Sequence, residues 1–138
     1  MDKVLNYLAL ARKGGRAELG EEPVGAAARA LHAHLIVVAS DASDHTWRRA
    51  KSYAAGTDQQ CIRLPYTKDE MGFVIGRTSL AIAAITDAQL AMAMVTALGQ
   101  PEKYKAVLEV LAAKAEKAKK RQAEAKAHKR NVRMGKKK

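Results

Sequence analysis

With 138 residues, nearly half apolar and very few aromatic, the chain has room for one domain with a core of Ala, Val, Leu and Ile plus a short extension, and is too short for two domains. The formal charge of +11 is unevenly placed: residues 1–113 hold 13 basic and 12 acidic side chains, and residues 114–138 hold 12 and 2. A near-neutral domain with such a tail points to a polyanionic partner, nucleic acid or an anionic membrane surface, against the plainer reading of a tail that serves solubility. The single cysteine, Cys61, excludes an internal disulfide and a cysteine-built zinc site and fits a reducing cytoplasm. Asp2-Lys3-Val4-Leu5 has no export-signal character, and the apolar runs at residues 35–39 and 80–85 are far below membrane-spanning length.

Val4, Leu5, Leu8 and Ala11 recur at helical spacing, predicting a helix over residues 2–12 that ends in Arg12-Lys13-Gly14-Gly15-Arg16. Residues 17–19 read as a short strand and Gly20 as a turn. Glu21-Glu22-Pro23 then opens a helix to about Ala33, because proline suits a first turn and carboxylates there favour the dipole. Leu35-Ile36-Val37-Val38-Ala39 reads as a strand buried on both faces. Ser43 caps a helix of roughly 44–55 with Trp47, Ala50 and Ala54 inward, and Cys61-Ile62-Arg63-Leu64 is another strand. Thr67-Lys68-Asp69-Glu70 is a capping box for a helix ending near Gly76. Residues 80–85 form a second buried strand, and Asp87 caps a helix over 88–98, stopped by Gly99. The alternation predicts an α/β fold: a three-layer α-β-α sandwich on a mixed sheet of about four strands, occupying residues 1–100. Residues 101–138 form a basic extension in which Tyr104, Val107, Leu108 and Leu111 make a docking stripe. After Ala113 high alanine content favours helix, and residues 130–138 are expected to be disordered without a partner.

No catalytic constellation emerges. His32 and His34 lack a third metal ligand, Cys61 reads as a small buried residue, no phosphate-binding glycine loop is present, and Asp41 and Asp44 are explained by turn and cap roles. No metal or cofactor is expected. Two segments suit binding instead. The first runs from Arg12 through Glu22, a basic glycine-containing turn followed by a helix start, with Arg12, Lys13, Gly15, Arg16, Gly20, Glu21 and Glu22 as candidates. Helix N–H groups can meet phosphates, and a glutamate can accept hydrogen bonds from guanine N–H donors. The two glutamates equally well serve only their own helix, and both readings stay open. The second segment is Arg77-Thr78-Ser79-Leu80.

In order, the first helix, Gly20-Glu21-Glu22, the strand ending Ala39-Ser40-Asp41, Met71-Gly72-Phe73-Val74-Ile75-Gly76 and the strand at 80–86 resemble the ribosomal L-seven-Ae family over residues 3 to about 98, and more closely its bacterial members. The resemblance implies an α-β-α sandwich that binds kink-turn RNA at tandem sheared G·A pairs. It maps the family's guanine-reading Asn-Glu pair onto Glu21 and Glu22. The family's RNA-contacting lysine one turn later falls at or near Gly25, with Arg29 the first basic residue after Glu22, and the loop supporting an extruded base falls on Arg77, Thr78, Ser79 and Leu80.

The expectation is therefore a non-catalytic, ribosomal-protein-like binder of structured cytoplasmic RNA, kink-turn-like or ribosomal, acting as a monomer without membrane contact. Lys117, Lys119, Lys120, Arg121, Lys126, Lys129, Arg130 and Arg133 supply sequence-independent phosphate contacts. The alternative is a protein-interaction module of translation or ribosome assembly in which the tail alone touches RNA.

Overall fold

The computed structural model describes residues 2–136, with side chains as far as Ala127. Its elements in order are α1 (Lys3–Lys13), β1 (Ala17–Leu19), α2 (Glu21–Arg29), β2 (Leu35–Val38), α3 (Asp44–Ala54), β3 (Gln60–Arg63), α4 (Lys68–Val74), β4 (Ile82–Ile85), α5 (Ala88–Ala97) and α6 (Lys105–Lys136). The local reasons are those the sequence carries. Asp2, Ser43, Thr67 and Asp87 each accept a backbone N–H at a helix start, and both bonds of the Thr67–Glu70 capping box form.

The strands make one mixed sheet in the order β1-β4-β2-β3. β2 and β3 run parallel, and β4 runs antiparallel to both β2 and β1. All four residues of β2 and of β4 are buried, as the central strands of a sheet covered on both faces must be. α2 and α3 pack together and on the sheet as one layer, while α1 packs on α4 and α5 and α5 packs on α6. The result is the α/β three-layer sandwich. Since β1, β2 and β3 share a direction, their C-termini and the start of β4 meet at one end, called here the upper end. The starts of β1, β2 and β3 and the close of β4 form the lower end.

Two expectations change. The helix expected to reach Ala33 ends at Arg29. Leu31 adopts φ +61° while its N–H donates to Ala28 O and the His32 N–H to Ala27 O, a Schellman stop built on leucine instead of glycine. The side chain of Gln59, 2 % exposed, then ties the connection by accepting from Ala33 N–H at 2.9 Å and donating to Ala28 O at 3.1 Å. The second change is in the extension. Tyr104 and Leu111 are core residues with Val107 and Leu108 packed beside them, and α6 continues to Lys136 where disorder was expected. Alanine, lysine, glutamate and glutamine are strong helix formers, and that propensity carries the helix past its last packed turn. Lys137 and Lys138 lie outside the described residues.

Candidate nucleic-acid interface

At the upper end, β1 turns directly into α2. Gly20 sits at φ 94° and ψ 164°, a conformation that is essentially glycine's alone, and its N–H donates to Ile82 O at 3.0 Å, which pins the α2 start beside the start of β4. No side chain caps α2, and Pro23 contributes no N–H, so the helix opens with backbone donors that have no intrahelical partner. The two glutamates part company here. Glu21 is half-buried and bridges α2 to α3: its carboxylate accepts from Thr46 Oγ1 at 3.3 Å and from Arg49 Nη1 at 3.2 Å. Glu22 is exposed.

The second segment reaches the same end by wrapping over α4. Arg77 N–H donates to Gly72 O and Leu80 N–H to Lys68 O, both at 2.9 Å, and Asp41 Oδ1 accepts from Lys68 N–H at 2.8 Å. A side chain at Gly72 would put its first carbon 2.6 Å from the Ser79 Cα, so the glycine is what lets the loop lie against α4. Arg77, Thr78 and Ser79 are exposed, but Leu80 is 3 % exposed and belongs to the core. Leu80 therefore leaves the set of candidate contact residues: the burial that anchors the loop removes it from any ligand.

Five other candidates are not at this end. Arg12, Lys13, Gly15 and Arg16 lie at the lower end, since α1 runs down the sheet from Asp2 and Thr86 N–H, after β4, donates to Arg16 O. The stretch from Arg12 through Glu22, read as one binding segment, is thus a turn and a helix start separated by the length of β1. Arg29 lies in the last turn of α2, toward the lower end. Gly25, where the resemblance places a lysine, is buried, and a Cβ there would stand 3.0 Å from the Tyr53 hydroxyl and 3.3 Å from Arg29 Nη1. Lys117, Lys119, Lys120, Arg121 and Lys126 are exposed along α6, whereas the side chains of Lys129, Arg130 and Arg133 lie outside the described residues.

Sequence reasoning missed Thr46 and Arg49, which fix Glu21 from 25 and 28 residues away, and no local pattern signals such a pairing. It also missed Arg63, whose guanidinium stacks 4.8 Å from the Trp47 ring centre with Nε and Nη2 buried and unpartnered among the described residues. Cys61, beside it on β3, has its thiol pushed up to about 12 by burial, against the opposing charges of Lys51 and Arg63, and stays protonated at neutral pH. Among the described residues no three His, Cys, Asp or Glu side chains come together as metal ligands, and no helix is long and apolar enough to cross a membrane.

These features define an α/β sandwich with a shaped polar end and a basic helix. No protein-family model matches the chain, and no curated protein is significantly similar to it. The fold is similar to the solved structure of a protein with unknown function from Bacillus halodurans C, with a TM-score of 0.66 and 21% sequence identity, covering 72% of this chain and 99% of that one.

Proposed function

We propose that this protein is a non-catalytic binder of structured cytoplasmic RNA, ribosomal or kink-turn-like, that reads its target with the upper end of the sheet. One observation carries the reading: two segments more than fifty residues apart, Gly20–Glu22 and Arg77–Ser79, meet at the same sheet end with Glu22 and Arg77 exposed. A face offering backbone donors, a carboxylate acceptor and a guanidinium suits a few base edges and a bent backbone, which is how folded RNA is recognised. The resemblance of the same segments to the L-seven-Ae family supports this. The test is binding of a stem carrying tandem sheared G·A pairs. Glu22→Ala and Arg77→Ala are each expected to weaken it by roughly 1–3 kcal/mol while plain duplex binding holds. Unchanged affinity for the stem in both variants contradicts the reading.

A second reading is favoured by Phe73, which is 76 % exposed beside Leu5, Tyr66 and Val74 in a groove between α1 and α4. An aromatic ring so exposed suits a protein partner of the translation machinery, with the basic helix alone on RNA.

A further inference from the structure

Arg12, Lys13 and Arg16 are parted from Glu22 by the length of β1 and lie at the lower end, which α6 also reaches. That helix starts near Ser40 and Pro65 at the upper end, where Tyr104 lines a small cavity with them, and passes down the molecule. Lys114 Nζ then reaches Asp58 Oδ1 at 3.1 Å and His34 Nδ1 at 3.3 Å. One turn on, Lys117 and Arg121 lie around Leu31, His34 and Ala88. Arg121 also lines a concavity of about 740 Å³ with Thr86, the residue whose N–H donates to Arg16 O. The basic turn after α1 and the basic part of α6 therefore share one end of the molecule.

Charge at this end is cancelled only in part. Asp58 is taken by Lys114, and Asp87 caps α5 through Leu90 N–H at 2.9 Å while its other oxygen stands 3.7 Å from Arg16 Nη1. Glu18 shares the concavity with Arg121 and Glu109 shares a cleft with Asp58, Lys114 and Lys117, while Arg12, Lys13, Lys117 and Arg121 are all exposed. Beyond Ala118 every described side chain of α6 is exposed, Lys119, Lys120 and Lys126 among them, and past Arg121 none lines a cavity with the domain. The stretch 119–136 is about 27 Å long at 1.5 Å per residue.

We propose that the lower end and the α6 arm form a second nucleic-acid surface, which grips the phosphate backbone of an RNA segment other than the one at the upper end, so that one molecule holds two RNA segments together. The proposal rests on the RNA-binding reading of the upper end. A membrane is the poorer partner, because among residues 119–127 alanine is the largest apolar side chain, and an interfacial helix needs large apolar residues on one face. Lysine and arginine on a regular helix match phosphates without reading bases, so this surface accepts any duplex.

The experiment uses the full chain, a labelled stem with tandem sheared G·A pairs and a separately labelled plain RNA duplex. The expected result is a 1:1:1 complex, with stem-loaded protein binding the duplex within about threefold of free protein. Replacing Lys119→Gln, Lys120→Gln, Arg121→Gln and Lys126→Gln together should lower duplex affinity by about tenfold or more and stem affinity by less than about threefold. Displacement of the stem by the duplex shows one shared surface and overturns the inference, as does undiminished duplex binding by the quadruple variant. Arm-dependent binding to phosphatidylserine vesicles in place of duplex overturns it too. A full chain with no preference for the stem ends the upper-end reading instead, and the quadruple variant still decides whether the arm holds RNA.

Discussion

The two ends of the sheet hold their polar groups in opposite ways. At the upper end, polar groups are fixed by other polar groups: Glu21 by Thr46 and Arg49, Lys68 N–H by Asp41, and the 77–80 loop by two backbone bonds and a glycine contact. Acidic and basic side chains are mixed there, so affinity has to come from fit. At the lower end, Lys114 is clamped and Arg16 stands beside Asp87, but Arg12, Lys13, Lys117 and Arg121 are exposed, and further exposed basic side chains follow along α6. The contrast teaches that net charge is a poor guide to where this molecule would discriminate among ligands. Charge supplies reach and salt dependence, while preorganised groups of both signs supply selectivity.

The contrast can be broken first at Gly72. Gly72→Ala drives a methyl group into the Ser79 backbone, which has no flexible end to yield, so a loss of about 1–3 kcal/mol in stability or a displaced loop is expected. Thermal unfolding reads the first and stem binding the second. Intact stability together with intact stem binding shows that the loop is not held as described. Leu31→Gly sharpens the contrast from the other end. Leucine at φ +61° costs about 1–2 kcal/mol and glycine returns about 0.5–1 of it as chain entropy, so the variant gains up to about 1 kcal/mol with stem recognition unchanged. Denaturant unfolding measures the gain, and a loss shows that the exposed leucine packs on something it needs.

The smallest effect concerns the seam between domain and arm. Burial, and then the charge of Lys114, hold the His34 imidazole below its ordinary pKa of 6.5, with His32 acting in the same sense and Asp58 and Asp87 against it. The folded protein thus favours neutral His34, which can accept from the Lys114 ammonium. This contribution is present above pH 6.5 and is lost as the pH falls through the lowered folded-state value, because the unfolded chain then binds the proton more readily. Melting temperatures across that window should fall more steeply for the native chain than for His34→Gln. Parallel curves contradict the assignment.

Much of the fold was legible because its signals are local. The caps at Ser43, Thr67 and Asp87, the buried runs of β2 and β4, and the 104–111 stripe each declare themselves within a few residues. The stop at Leu31 was not legible, since it replaces the usual glycine with a residue tolerated under strain. The site was legible in part. Glu22 and Arg77 stand exposed at one end, yet Leu80 is anchored in the core and Arg12 to Arg16 lie at the other end. That division depends on the direction of β1 in the sheet, which only the register of non-local pairs sets. The clamp on Lys114, with 13% of its side chain exposed, was not legible either, because its partners Asp58 and His34 are more than fifty residues away.

The central claim is that structured RNA is read at the upper end, and amide chemical-shift mapping of the isotope-labelled full chain tests it most directly. On adding the sheared-G·A stem in a background of excess plain duplex, the account predicts the largest changes at Gly20, Glu21, Glu22, Arg77, Thr78 and Ser79. Changes confined to Arg12–Arg16 and α6, with those six amides unmoved, would contradict it.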